Sequence, residues 1–239
     1  MKPTFRHFSE LNEENIDFDF HVHTEITDGT ESPERMIEAA VRKGLKEIAF
    51  TEHVTRETNW YNSFADRIFH LRKKSPNIIV YLGAETKAID FQGNTDIPES
   101  IVGLPELLVG SVHRYPDGTN GFLSFNEIIK LGQDRASEME FELTLALIHN
   151  RDNGVDVIGH PFGVFSKLYE SFPINLYEMM LVESLKHEKA IEINTSYLKD
   201  ANALMLLKRI DPCISLGSDA HNAQEIVQSY DLVKGFVRR

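Results

Sequence analysis

Two histidines one residue apart, His21-Val22-His23, constrain this chain more than any other feature. They stand at the tail of the run Ile16-Asp17-Phe18-Asp19-Phe20, whose apolar–polar alternation is the period of a strand with one buried face. Side chains two apart on a strand point the same way, so His21 and His23 look into one site. A loop containing Asp28-Gly29 follows, and Ser32-Pro33 opens a helix. Two imidazoles converging where a strand ends are a common way for a protein to hold a transition metal. A single histidine there would ordinarily be a packed or hydrogen-bonded residue, so the rest of the chain decides.

Composition narrows the class. A chain of 239 residues can bury one sizeable core and is short for two, so residues 1–239 are expected to form one domain, with 1–15 as an arm. The apolar share of 41% and charged share of 26% are those of a soluble enzyme. No apolar run reaches membrane-spanning length, and Met1 to Phe8 lacks the apolar core of a signal peptide. The single cysteine, Cys213, excludes an internal disulfide and a cysteine-based zinc site. A cytoplasmic protein is expected. A net charge of −12 argues against a broad nucleic-acid surface, and a bound cation would offset part of it.

Strands are expected at about 16–23, 47–53, 78–85, 107–113, 155–160, 190–194 and 213–221. Helical patterns lie between them: one capped by Ser32 and ending near Gly44, then 62–75, a long one over 124–151, 174–188, and one capped by Asp200 to about Arg209. A final helix begins around Ala223. Seven strands alternating with helices imply a parallel sheet with helices outside.

The carboxyl ends of these strands carry the chemistry. The first ends in His21 and His23, the second in His53, the third in Glu85, the fourth in His113, the fifth in His160, and the seventh in Asp219 and His221; Asp28 follows in the first loop. An open sheet would spread these residues along an edge, whereas a closed barrel gathers them around one pocket. Nine such side chains are too many for one tetrahedral ion and suit two or three sharing bridges. Ligands without sulfur fit Zn²⁺, Mn²⁺ or Fe, and the many imidazoles speak against Mg²⁺ or Ca²⁺. His7, His70, His149 and His187 fall in the arm or in helical stretches and read as structural or solvated.

The chain resembles the polymerase and histidinol phosphatase (PHP) family. The matching pieces, in family order, are His21-Val-His23 with Asp28-Gly29, Thr51-Glu52-His53, Gly83-Ala-Glu85, Gly110-Ser-Val-His113, Gly159-His160-Pro161 and Gly217-Ser-Asp219-Ala-His221. The resemblance implies an α/β fold, a distorted seven-stranded (β/α)7 TIM-like barrel of PHP type, with a trinuclear metal centre and phosphoester hydrolysis. All nine positions carry residue types the family uses as ligands: His21, His23, Asp28, His53, Glu85, His113, His160, Asp219 and His221. Glu52 stands where many members have Asp, and Asp28 where some have His.

The expected reaction is hydrolysis of a small-molecule phosphate monoester, histidinol phosphate or a related phosphoester, by a metal-bound hydroxide. Asp219 or His221 is the expected proton donor to the leaving alkoxide. Arg114 is the first candidate for holding phosphate, with Arg56, Lys87 and Lys199 behind it; each is otherwise a solvated charge. Trp60 and Tyr61 are a lid, a substrate wall or packing. Two further readings stay open: a phosphodiesterase or nuclease, and a non-catalytic regulatory barrel that keeps metals for stability. Nothing in the sequence assigns an oligomeric state.

Overall fold

In the computed structural model, which describes every residue except 120, 195–197, 199, 229 and 239, the amino-terminal arm contributes a strand of its own. β1 (Arg6–His7) pairs antiparallel with the last strand, and Ser9 donates backbone and hydroxyl hydrogens to the Asp211 carboxylate. The arm is thereby fastened to the edge of the sheet, beside its last strand.

Among the described residues, seven parallel strands follow: β2 (Phe18–Val22), β3 (Glu47–Val54), β4 (Ile79–Lys87), β5 (Leu107–Ser111), β6 (Val157–Gly159), β7 (Ala190–Asn194) and β8 (Cys213–Gly217). Each is hydrogen-bonded to the next in chain order, the pattern of a singly wound sheet rather than a doubly wound one. The sheet curls until its first and last parallel strands meet. Past their ends, His23 N donates to Ala220 O at 2.9 Å and Asp219 N to His21 O at 2.9 Å. The expected seven parallel strands are present, with the two-residue β1 added at the edge.

The alternation over 16–20 does not run on through the histidines. Pairing of β2 with β3 shifts register between Asp19 and Val22. Phe20 packs edge-on against Tyr81, and His21 reaches Glu85; Tyr81 and Glu85 lie four apart on regular β4 and so face the same side. An irregularity of this kind lets consecutive residues face one side, bringing His21 in beside Phe20. All five residues of β2 are buried, so neither face of the strand meets solvent. Buried Asp19 accepts hydrogen bonds from Ser218 N at 3.0 Å and Ser218 Oγ at 2.6 Å, another tie from first strand to last.

Eight α-helices are described: α1 (Pro33–Arg42), α2 (Tyr61–Lys74), α3 (Phe125–Leu131), α4 (Gln133–His149), α5 (Gly163–Tyr169), α6 (Ile174–Lys186), α7 (Ala201–Ile210) and α8 (Tyr230–Val237). Ser32 caps α1 and Asp200 caps α7, as their side chains allow. The single long helix expected over 124–151 is two helices. Gly132, at φ 82°, takes a left-handed conformation that breaks the helical path between them. Residues 223–228 form turns, so the last helix begins later than expected, at Tyr230. No helix among the described residues is long and apolar enough to cross a membrane.

Helix α5 had no counterpart in the sequence reading. Its start is held by Glu140, buried on α4, whose carboxylate accepts from Val164 N at 3.3 Å, Phe165 N at 2.7 Å and Tyr115 OH at 2.6 Å. Burial pushes the Glu140 carboxyl from an ordinary 4.5 up to about 7, against the opposing pull of those donors. The folded value lies above the unfolded one, so this group's contribution is full below the unfolded value and is lost as pH rises through about 7. Urea unfolding should therefore show the stability of the wild type, relative to Glu140→Gln, falling as pH rises from about 5 to about 8. Parallel stability curves for the two proteins would contradict this assignment.

Candidate metal centre

Every strand-end residue singled out in the sequence arrives at the same end of the barrel. His21 lies in β2 and His23 one residue past it; His53 on β3 pairs directly with Glu85 on β4. His113 follows β5 by two residues, His160 follows β6 directly, and Asp219 and His221 follow β8. Asp28 comes from the loop between β2 and α1. His160 and Asp219 adopt positive φ, 24° and 55°, which side chains other than glycine rarely tolerate. Local strain of this kind persists where the surrounding structure fixes it, and it clusters at functional sites.

The donor atoms sort into three groups. His21 Nε2 and His23 Nε2 lie 3.5 and 3.6 Å from Glu85 Oε2, and 3.7 and 3.3 Å from Asp219 Oδ1. The other carboxylate oxygen, Glu85 Oε1, lies 3.0 Å from both His113 Nε2 and His160 Nε2, which are 3.2 Å apart. In the third group, His53 Nε2 and His221 Nε2 each stand 3.3 Å from Asp28 Oδ2. Donors bonded tetrahedrally to one ion at about 2.0–2.2 Å lie roughly 3.3–3.6 Å apart, so these groups are suited to metal binding with little rearrangement.

Unsatisfied buried atoms point the same way. His21 Nε2 and both ring nitrogens of His23 are buried without a hydrogen-bond partner. Orphaned buried polar groups are costly, and a cation would satisfy those facing the carboxylates. The electrostatics match. Burial disfavours a charged Glu85, yet His113 and His21 beside it hold the carboxyl well below its usual range. Asp219 is likewise held low, by His21 and His23 against burial. Burial drags His23 down to about 4, keeping its imidazole neutral. At His53 burial is overcome by Asp28 and Glu85, which raise it to about 10. Imidazoles and anions are thus packed closely enough to need positive charge among them, from protons or from metal.

The sequence profile of the PHP domain matches residues 19–196. The chain belongs to the PHP domain family. With the family comes the enzyme class expected from the sequence, a phosphoric ester hydrolase. The chain is 28% identical over 227 residues to a probable phosphatase of Caldicellulosiruptor saccharolyticus, covering 89% of this chain and 83% of that one. It is 26% identical over 239 residues to the histidinol-phosphatase of Lactococcus lactis, covering 87% and 85%. The fold is that of the crystal structure of histidinol phosphate phosphatase from Lactococcus lactis, which holds zinc, L-histidinol and phosphate. The TM-score is 0.69, with 24% identity over 92% of this chain and 93% of that one.

The PHP centre of this chain opens into a cavity of about 270 Å³. The cluster forms its floor, Val112, Phe125, Val164 and Leu168 its apolar wall, and Lys167 its charged edge. Helix α5 brings three of these residues, so the buried cap at Glu140 shapes the cavity. The candidate phosphate-binding cations divide. Arg114 is exposed, with its guanidinium carbon 5.5 Å from the centroid of the Phe125 ring on the cavity wall. Arg56 and Lys87 both pair with Asp96, and Lys199 lies outside the described residues. Tyr61 is buried, with its hydroxyl on Gly83 O at 2.8 Å, and Trp60 packs on Phe64; both serve packing rather than a lid.

Three residues support the site in roles that the sequence did not assign, two of them within the family motifs and Glu192 outside them. Glu192, buried on β7, accepts from His21 Nδ1 at 2.6 Å and from the His160 backbone N at 2.6 Å. Its bond fixes the His21 proton on Nδ1 and turns the Nε2 lone pair toward Glu85. Ser111 Oγ donates to Glu85 Oε1 at 2.6 Å. Glu52 accepts from Thr24 and Thr27, steadying the loop that carries Asp28; burial raises its carboxyl to about 7. The available signal was an acidic residue inside an apolar strand, Ile191-Glu192-Ile193. Replacing Glu192 by Gln keeps an acceptor for one neighbour and places an amide hydrogen against the other. Zinc affinity, measured by chelator competition, should fall about 10–100-fold with the fold retained; unchanged affinity would remove Glu192 from the site.

Proposed function

We propose that this chain is a metal-dependent phosphoesterase that hydrolyses a small phosphate monoester, histidinol phosphate or a chemically related phosphoester, with residues 1–239 acting as one unit. One observation carries the reading: the two oxygens of buried Glu85 face different imidazoles, Oε1 those of His113 and His160 and Oε2 those of His21, His23 and His53, and His53 also reaches the donor group around Asp28. A bridged cluster of two or three divalent ions (Zn, Mn or Fe) fits that arrangement. His21, His23, Glu85 and Asp219 would hold one ion, Glu85, His113 and His160 a second, and Asp28, His53 and His221 a third. Such ions supply positive charge against phosphoryl oxygens and lower the pKa of water.

The chain's own residues do the rest. Arg114, at the rim, and Lys167, on the cavity edge, receive phosphoryl oxygens and hold the ester over the cluster. The wall of Val112, Phe125, Val164 and Leu168 takes the organic part and limits water around the scissile bond. His221 Nδ1 lies 2.8 Å from the Asp219 carbonyl, so its proton is committed there and Nε2 faces Asp28. Asp219 lines the cavity, remains partly exposed and turns only Oδ1 to His21 and His23, so its second carboxylate oxygen is the group to take a proton from the attacking water and return it to the leaving alkoxide.

Protein reconstituted with Zn²⁺, Mn²⁺ or Fe²⁺ should release orthophosphate from histidinol phosphate or from another monoester in a small panel. His21→Ala should lower kcat/KM roughly 10³-fold or more. Faster cleavage of a generic diester would replace this reading with a phosphodiesterase. Stoichiometric metal with no turnover of any ester would replace it with a regulatory barrel.

A further inference from the structure

We propose that His149, Glu183 and His187 form a second transition-metal site, separate from the PHP centre, that fastens α4 to α6. His149 is the last residue of α4, and His187 is the C-cap of α6. Glu183 and His187 are four apart, one helical turn, so both side chains leave α6 on one face. Glu183 Oε2 lies 2.9 Å from His149 Nε2 and 4.0 Å from His187 Nε2. The two rings stand 4.6 Å apart between centroids. The second oxygen, Glu183 Oε1, is taken by Lys186 at 2.7 Å, which leaves Oε2 turned toward both imidazoles.

The separations of 2.9 and 4.0 Å bracket the roughly 3.3–3.6 Å between tetrahedral donors on one ion, so shifts of less than about 1 Å bring both nitrogens and Oε2 onto it. Two imidazoles and a carboxylate without sulfur suit Zn²⁺, and Ni²⁺ or Cu²⁺ equally by donor type, more than Mg²⁺ or Ca²⁺. His149, at 46% side-chain exposure, leaves the group open to solvent, so a fourth position can be filled by water. The location adds to the attraction. Two helices end here, and the carbonyl ends of both present partial negative charge to the same point. His187 also has Nδ1 buried without a hydrogen-bond partner, which marks the ring as not already committed through that nitrogen.

The position rules out an outlying part of the PHP centre. Helices α4 and α6 return against the strand direction and lead into the starts of β6 and β7. Their carboxyl ends therefore lie at the face where strands begin, across the barrel from the strand-end cluster. An ion there joins two neighbouring outer helices and leaves the catalytic face untouched. The bland alternative is an ordinary ion pair between His149 and Glu183, which would bind no metal.

The test uses the intact protein equilibrated with excess free Zn²⁺, desalted, and assayed for zinc per chain and for thermal unfolding. The wild type should carry one zinc per chain more than the His149→Ala/His187→Ala double variant. The same difference should persist when both carry His21→Ala, so failure of the PHP centre to load would not obscure it. Added zinc should raise Tm more in the wild type than in the double variant, while phosphate release by the two remains equal. His187→Gln, which keeps size and polarity, should also lose the extra zinc. Equal zinc content and equal Tm response in the wild type and the double variant would overturn the proposal.

Discussion

The organising interaction of this molecule is a single carboxylate, Glu85, buried at 1% exposure and ringed by imidazoles from the surrounding strands. An isolated carboxylate placed so deep would become neutral, because losing water costs more than a few neutral neighbours return. Here His113 and His21 keep it ionised, and Ser111 and the strand-end histidines divide its two oxygens between them. The other two anions, Asp219 and Asp28, are held low for the same reason: imidazoles crowd them. Each anion depends on cationic neighbours, and each imidazole on the anions. Protons can meet that demand, and divalent ions can meet it with donors already near coordinating distances.

That arrangement requires the barrel to close. His21 stands on the first parallel strand and Asp219 just past the last, and they reach one point only because those strands meet. Close packing at the seam is visible at Gly217, where an added Cβ would stand 2.0 Å from Glu192 Oε1 and 2.6 Å from the His21 side chain. A side chain there would push Glu192 off the imidazole it orients. The register shift in β2 serves the same end, since strict alternation would set His21 and Phe20 on opposite faces. Fold and site are thus one constraint expressed twice: the seam that completes the sheet also completes the cluster.

Much of this was legible in the sequence because it is local. Strand periodicity, the helix caps at Ser32 and Asp200, and polar residues repeated at strand ends each need only a few adjacent residues to be read. The convergence of His21, His53, Glu85, His113, His160 and Asp219 on one point then follows from closing a parallel sheet. What escaped depends on distant partners. Glu192 reads as one acid in a strand until His21, 171 residues away, is placed against it. Glu140 reads as a helix-surface residue until α5 is built on it. Gly132 is the exception, a local signal, since a glycine inside a helical pattern can mark a break. His149 and His187 read as structural or solvated because nothing along the chain shows that two helices end together.

The cluster depends on Glu85 acting as its shared donor. The most direct measurement is the metal content of Glu85→Ala, beside that of the wild type, after equilibration with the same free zinc. If one carboxylate serves two ions, a single substitution removes more than one zinc per chain while the protein remains folded. Loss of one zinc or none would show that the groups around His21 and His113 bind independently, and the shared centre would have to be abandoned.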